Sequence, residues 1–295
     1  MYFKPYAAVA AISFIWGTTY LAIRVGIKEF PPFLFSGLRF VLAGALICTY
    51  FFAKGYKWPT GKSFYILLWS GLCIMVGGNL LLCIAEKHIP SGLAALINAG
   101  FPFWIVIISY IINPADKISI QVLTGLAIGF TGQLMIFYDQ LAMLTHSEYL
   151  TSILFLLASA WFGAYGSVFM KKHNVTINPV FAGGVQMLVS GSIAAMSGFI
   201  IGERIPDAGI EAWSSFFYLV VFGSVIGYSC FCYALSKLPA AKVSIYTYIN
   251  PIVALWLEWM LLDEKITLLM IVAMVVTITG VYIVTRQPLV EKPKS

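Results

Sequence analysis

The chain has 295 residues, of which 60% are hydrophobic and 10% are charged, and its formal net charge is +6. Soluble domains carry about 25% charged residues, so this composition and a mean hydropathy of +0.90 indicate an integral membrane protein. The basic residues punctuate the apolar runs instead of clustering, which argues against a nucleic-acid partner and favours membrane lipid as the surroundings.

Ten apolar segments, separated by short polar or proline-marked breaks, follow one another along the chain. Each approaches the roughly 20 residues that cross a bilayer as a helix. The first has no small-residue cleavage site after a short apolar core, so we expect it to be retained. The predicted fold class is therefore all-α, with ten transmembrane helices. The segments are 5–25, 32–52, 64–84, 91–111, 120–138, 149–170, 179–200, 213–235, 240–262 and 267–285.

The Lys and Arg residues are divided unequally between the two sides that these segments define. Of the 18, twelve fall on the side of the N-terminus, five on the opposite side, and one, Arg39, within a segment. Cytoplasmic loops carry the excess of such residues. The pattern predicts a multi-pass protein of the bacterial inner membrane with both termini in the cytoplasm, which agrees with an even number of spans.

One spacing of alanine and proline occurs twice. The stretch from Ala85 to Pro102 reads Ala, four residues, Pro, eleven residues, Pro, and the stretch from Ala234 to Pro251 repeats it 149 residues later. Further pairs share nearly the same offset: Trp16 with Trp161, Tyr20 with Tyr165, Pro32 with Pro179, Arg39 with Gln186, and Gly78 with Gly227.

The two halves hold five segments each, so the second half enters the membrane upside down. This arrangement predicts two inverted-topology repeats, over residues 1–139 and 148–295. Pro102 and Pro251 lie near the middle of the fourth and ninth segments, where a proline removes a backbone hydrogen bond. Matched interruptions point to a transport site, so we predict helix kinks with a gating role. A static kink that improves packing is the alternative.

Polar and aromatic side chains within the segments are the candidates for substrate contact. Arg39 lies about 10 Å into its segment at 1.5 Å per residue and stays charged, so it needs helix-end carbonyls, Glu258 or an anionic substrate group as a partner. Glu258 is a candidate for proton coupling, with snorkelling to the surface as the alternative. The other candidates, for which packing or interhelical bonding is the alternative, are Trp16, Tyr20, Asn79, Asn98, Tyr165, Gln186, Tyr246 and Asn250.

Nothing in the sequence points to an enzyme, a metal centre or a cofactor. The five cysteines lie within apolar segments, where inert thiols are expected, and the three histidines fall at loops. No Ser, His and Asp set is placed to react. We therefore predict a protein that is not an enzyme and that handles a small-molecule substrate; a monomer and a homodimer both remain open.

Several stretches have the form of family motifs. They are FIWGTTYLAIRVG in the first segment, PPFLFSGLRFVLAGAL in the second, the two Ala-x4-Pro hairpins, and LLDEKIT before TITGVYIV. With the ten segments, they resemble the EamA type of the drug/metabolite transporter superfamily. The resemblance implies alternating access around a central cavity and export of amino acids or related metabolites. It also implies cavity positions for Trp16, Tyr20, Arg39, Asn98 and Tyr246.

One stretch departs from the small multidrug members of that superfamily, which carry a glutamate in the first span. Here the stretch is Trp16-Gly17-Thr18-Thr19, so coupling through such a glutamate is not expected. Triose-phosphate and nucleotide-sugar carriers are similar in span count, but a phosphate-bearing substrate needs more intramembrane cations than Arg39 alone. We predict a secondary transporter that exports amino acids, with such a carrier or a non-saturable channel as the alternative. Facilitated diffusion and proton antiport both remain open.

Overall fold

The computed structural model describes residues 3–113, 119–173, 175–262 and 267–286, without the side chains of residues 3, 257–259 and 261–262. Every regular element among these residues is a helix, which confirms the all-α fold class. Shorter helical segments lie at Tyr138–Thr145, Ser147–Tyr149 and Ala240–Val243. The principal helices are α1 Phe3–Gly26, α2 Pro32–Ala53, α3 Gly61–Glu86, α4 Ser91–Ile112, α5 Ile120–Ile136, α6 Leu150–His173, α7 Pro179–Ile200, α8 Ile210–Lys237, α9 Tyr246–Leu262 and α10 Leu268–Arg286.

Eight of these helices are long and apolar enough to cross a membrane, counted over the described ranges. Helix α5 provides a ninth if it is joined to the 3₁₀ segment Tyr138–Thr145, which bends away from it by 87°. Helix α9 has 17 residues, slightly fewer than the roughly 20 that span a bilayer. The protein is thus a multi-span helical membrane protein.

The observed helices follow the predicted segments closely because the connections carry clear start signals. Pro32 and Pro179 occupy the first turns of α2 and α7, where the missing N–H would have no helical partner. The side chain of Asn178 accepts a hydrogen bond from a backbone N–H of the first turn of α7 at 2.9 Å. Glu203 accepts one from the N–H of Leu34 at 2.8 Å, so a carboxylate caps the positive end of α2.

The fourth and ninth segments are interrupted at different places. Helix α4 consists of Ser91–Asn98 and Phe101–Ile112, so the chain breaks just before Pro102, the second residue of the second piece. The ninth segment is interrupted between the short helix Ala240–Val243 and helix α9, which then continues through Pro251 without a break. The matched prolines therefore do not stand at matched breaks.

Three helix pairs pack most extensively, α2 with α7, α3 with α6, and α5 with α10. Glycines permit such packing: a Cβ on Gly37 would collide with the backbone of Ala195, and a Cβ on Gly280 with the backbone of Gly129. Small residues drive helix association in membranes by this close approach. Helix α1 packs against α8 and α9, while α6 packs against α3 and α4.

Helices α3 and α8 widen into π-helical turns at corresponding positions, Leu72–Leu80 and Leu219–Tyr228. Such turns occur frequently at functional sites. The carbonyl of Gly78 in the first turn accepts a hydrogen bond from a serine of α6 at 2.5 Å. The carbonyl of Gly223 in the second accepts one from the indole of Trp16 at 2.9 Å. The widened turns thus anchor α6 and α1 around the centre of the molecule.

Candidate functional site

A cavity of about 160 Å³ lies between α1, α2, α3, α4, α6, α8 and α9. Helices α5, α7 and α10 stand behind this ring and supply none of the described lining residues. The polar side chains of the wall include Arg39, Asn79, Asn98 and Asn250, and the aromatic ones include Trp16, Tyr20, Phe101, Tyr228, Phe231 and Tyr246.

Arg39 is the charged side chain of the cavity wall within the described residues. It is only 3% exposed, and its Nη2 donates a hydrogen bond to Oδ1 of Asn79 at 2.6 Å. The same oxygen accepts a bond from the hydroxyl of Ser36 at 3.2 Å. The guanidinium carbon lies 4.3 Å from the centroid of the Phe40 ring. The Nε atom is itself buried and has no hydrogen-bond partner among the described groups, so protein acceptors do not use all five N–H donors of the guanidinium.

Four aromatic rings form one contiguous part of the wall. The centroid of the Tyr246 ring lies 4.8 Å from that of Trp16, with the planes nearly perpendicular. It lies 6.0 Å from that of Phe101 and 6.2 Å from that of Phe231. The bond from Trp16 to Gly223 fixes the indole in its plane. Rigid aromatic faces of this kind can bind the apolar part of a solute.

Amide groups and a hydroxyl complete the polar wall. The Asn250 amide lies 2.9 Å from the carbonyl oxygen of Ser13 and 2.7 Å from that of Tyr246. Because both neighbours are acceptors, the amide nitrogen is assigned to that side, which leaves the amide oxygen as an acceptor. The side chains of Tyr20 and Asn98, which both line the cavity, interact with each other.

Seven of the nine predicted substrate-binding residues line the cavity, and Gln186 and Tyr165 lie elsewhere. Gln186 is fully buried behind the wall. Its Nε2 donates to the hydroxyl of Ser70 at 2.7 Å, and its Oε1 accepts from the hydroxyl of Tyr228 at 2.9 Å. Gln186 therefore positions a lining tyrosine. Tyr165 instead stacks on Trp161, with ring centroids 5.4 Å apart.

The remaining predicted residues do not line the described cavity. Pro102 and Pro251 are absent from the wall, but their neighbours Phe101 and Asn250 belong to it. The prolines are thus placed to orient lining residues. The side chain of Glu258 lies outside the described residues.

Some residues at the site carry little sequence signal. Tyr228 and Phe231 sit in an apolar run, and only the adjacent proline distinguishes Phe101. Glu86 falls beyond the end of the predicted third segment, in a stretch that reads as a polar hairpin. The structure extends α3 to Glu86 and leaves its side chain only 3% exposed.

The arrangement supports recognition of a small organic solute. Within the described part of the chain, no group of three His, Cys, Asp or Glu side chains could hold a metal ion. What the wall offers is one cation with a spare donor, side-chain amides, and aromatic faces. These groups suit a solute that combines a carboxylate with an apolar part.

Comparison with known protein families identifies the family of this chain. The model of the EamA-like transporter family matches residues 4–138 and, separately, residues 150–286. The chain belongs to the EamA-like transporter family. The resemblance to the EamA type of the drug/metabolite transporter superfamily is thereby confirmed, and the family is one of transporters rather than enzymes.

Relatives of this EamA-family chain carry transporter names. It is 29% identical to the "Uncharacterized inner membrane transporter YedA" of Escherichia coli, over 95% of this chain and 90% of the relative. It is 24% identical to a "Probable amino-acid metabolite efflux pump" of Escherichia coli, over 91% of this chain and 90% of the relative. A crystal structure of another protein, 19% identical, superposes with a TM-score of 0.79 over 95% of each chain, which shows the fold alone.

Proposed function

We propose that this protein is a secondary transporter that exports an amino acid, or a closely related zwitterion, by alternating access around the central cavity. One observation carries the proposal: a buried guanidinium with an unused donor and a cluster of aromatic rings share one small space. Arg39 suits the carboxylate of the solute. The rings around Tyr246 suit an apolar or aromatic side chain.

The size of the cavity favours a small solute. Its volume of about 160 Å³ is near the roughly 150 Å³ in which an engineered protein cavity holds benzene. It is well below the roughly 300–1,000 Å³ typical of sites for drug-sized ligands. A nucleotide sugar needs far more room. A triose phosphate would bring a doubly charged group against Arg39, and the relative named as an amino-acid metabolite efflux pump also favours an amino acid.

We propose ten crossings in two inverted repeats, over residues 1–139 and 148–295, with α5 and α9 as crossings in addition to the eight longer helices. Helix packing supports this: exchanging the halves converts the contacts of α1 with α8 and α9 into those of α6 with α3 and α4. The π turns of α3 and α8 also correspond. Repeats of this kind rock against each other around a fixed site.

Both termini are proposed to face the cytoplasm of a bacterium, on the distribution of Lys and Arg. At that end of the bundle, Lys171 donates to the carbonyl of Leu235 at 2.7 Å, and Lys172 to the carbonyl of Ile112 at 3.0 Å. Single cysteines in place of Lys292 and Arg204 test the orientation with a membrane-impermeant reagent. Intact cells should label the cysteine at 204 and spare that at 292; the reverse would overturn the topology.

The proposed substrate class is tested by counterflow in proteoliposomes loaded with unlabelled solute. Radiolabelled amino acids, a triose phosphate and a nucleotide sugar are each supplied outside, with empty liposomes as the control. We expect saturable exchange of one or more amino acids and none of the phosphate compounds. Exchange of the phosphate compounds alone would contradict the substrate class, and flux that does not saturate would favour a channel.

A further inference from the structure

Glu86 does not line the cavity; its carboxyl group is buried at the end of α3. It is 3% exposed, and neither of its carboxylate oxygens has a hydrogen-bond partner among the described groups. It lies four residues after Leu82, which lines the cavity. Residues four apart share one face of a helix, so Glu86 is one turn beyond the cavity wall.

The groups that act on Glu86 come mainly from α1. Arg24 interacts with it electrostatically without forming a salt bridge, and its own side chain is exposed. Tyr20, in the cavity wall, lies within electrostatic range of Glu86, as does Cys83 on the same helix. From α2, Arg39 acts on Cys83.

The other helices packed against this end of α3 bring no charge to Glu86. They are α4 and α6, and their residues 91–109 and 150–164 contain no ionisable side chain. Lys87 and His88, which follow Glu86 in the chain, are exposed. Within the described residues, Glu86 is therefore a buried carboxyl whose charge is balanced by no hydrogen bond and no salt bridge, only by the more distant charge of Arg24. Such a charge is costly inside a membrane protein and marks proton or ion pathways.

We propose that Glu86 binds the proton that this transporter exchanges for its solute. The inference rests on the proposed function of the cavity. In the step, a proton from the outer aqueous phase forms an O–H bond with a carboxylate oxygen of Glu86 and neutralises it. After the conformational change the bond breaks, and the proton leaves to the cytoplasmic phase. The O–H bond that a hydronium ion gives up on the outer side is formed again with a water molecule on the cytoplasmic side, and no bond of the solute changes.

Tyr20 lines the cavity and also lies near Glu86, so binding of the solute and protonation of Glu86 should oppose each other. A zwitterion that places its carboxylate on Arg39 can direct its ammonium group toward Tyr20 and Asn98, the part of the wall next to Glu86. A positive charge there favours the ionised carboxylate and expels the proton. Conversely, a protonated Glu86 weakens the hold on the ammonium group, because such linkage is reciprocal.

The test uses proteoliposomes in which potassium and valinomycin hold the membrane potential at zero. With an interior one pH unit more acidic than the exterior, one-for-one antiport drives accumulation of a labelled amino acid up to about tenfold. We expect this of the wild type and of Glu211→Gln, which changes an exposed carboxylate on α8. Glu86→Gln should lose accumulation yet retain solute–solute exchange without a pH gradient, since exchange needs no net proton movement.

The transport results that would overturn the proton site can be stated in advance. Accumulation by Glu86→Gln equal to that of the wild type would overturn the proposal, and so would loss of accumulation in Glu258→Gln with Glu86→Gln unaffected. Wild-type exchange that ignores the pH gradient would overturn the proton site and leave the proposed transport function standing. Absence of exchange of any amino acid by the wild type would contradict that function as well.

A second measurement does not depend on the folding of the variant. Purified wild-type protein in weakly buffered detergent solution, titrated with the amino acid that it exchanges, should release protons detectable with a pH-sensitive dye. Glu86→Asp should also release them, at a shifted pH. Binding without proton release by the wild type would contradict the proposal.

Discussion

The two halves of the molecule carry related sequences but contribute differently to the cavity. In α1, Trp16 and Tyr20 line the wall, while their counterparts in α6, Trp161 and Tyr165, stack on each other outside it. Trp161 is 37% exposed. The corresponding stretches of the two halves thus present one aromatic pair to the cavity and the other to the periphery.

The pair Arg39 and Gln186 shows the same difference in a sharper form. Arg39 is a buried cation of the wall with an unused donor. The side-chain amide of Gln186, at the corresponding place in α7, is hydrogen-bonded to the hydroxyls of Ser70 and Tyr228. A repeat copies the backbone path, and the identity of each side chain decides whether a position becomes a binding group or a support. Substituting the two members of a matched pair one at a time should therefore have unequal effects on transport.

The largest expected effect comes from Arg39→Gln, which gives both halves the same residue at this place. Losing one partner of a buried, charge-assisted hydrogen bond costs about 2–5 kcal/mol, so kcat/KM for exchange should fall by about 30-fold or more. Counterflow kinetics provide the measurement, and Arg204→Gln, at an exposed arginine, is the control. Unchanged kinetics in Arg39→Gln would remove the guanidinium from the site.

The next effect is expected from Tyr246→Ala compared with Tyr165→Ala. Tyr246 is packed against three other rings of the wall, and an aromatic contact between its ring and the solute would be worth about 0.5–1.5 kcal/mol beyond area burial. Its loss should raise KM about tenfold or more. Tyr165→Ala, which removes an identical ring outside the cavity, should leave KM near the wild-type value. A larger effect from Tyr165→Ala would reverse the assignment of the two tyrosines.

A smaller effect is expected from Trp16→Phe compared with Trp161→Phe. The first change keeps an aromatic ring but removes the donor to Gly223. A neutral hydrogen bond contributes about 0.5–1.5 kcal/mol, so exchange should weaken by about 2- to 10-fold. Trp161→Phe should have no such effect. Equal losses in the two variants would mean that the indole acts through general packing.

The smallest effect on transport is expected from Gln186→Leu, which should act on stability. The hydroxyls of Tyr228 and Ser70 lose a buried partner, at a cost of about 1–3 kcal/mol. The apparent Tm in detergent should fall, while the order of preference among amino acids stays the same. A changed order of preference with an unchanged Tm would make Gln186 a selectivity residue.

The sequence predicts the helices well because lipid imposes a simple rule on them. A segment of nearly 20 apolar residues must satisfy its backbone internally, so its ends are visible in the composition. The third segment was predicted to stop at residue 84, whereas α3 continues to Glu86. The adjacent Lys87 and His88 are typical of a loop, and the amino-acid sequence alone does not show that other helices bury this end of α3.

The candidate site is predictable only in part. Steps of three and four along a helix group Trp16 with Tyr20 and Tyr246 with Asn250, and all four residues line the cavity. They do not reveal which of two matched faces meets the cavity, so Tyr165 was included with Tyr20. The rotation and tilt of each helix are set by contacts such as Gly280 against Gly129, which arise only when the halves pack.

We propose that Arg39 binds the carboxylate of the solute in the central cavity, which both halves line. The most direct test is counterflow of an amino acid and of its decarboxylated amine, by the wild type and by Arg39→Gln. The wild type should prefer the amino acid, and the preference should largely disappear in the variant, because the two deletions remove the same interaction. An equal preference in both proteins would contradict the account.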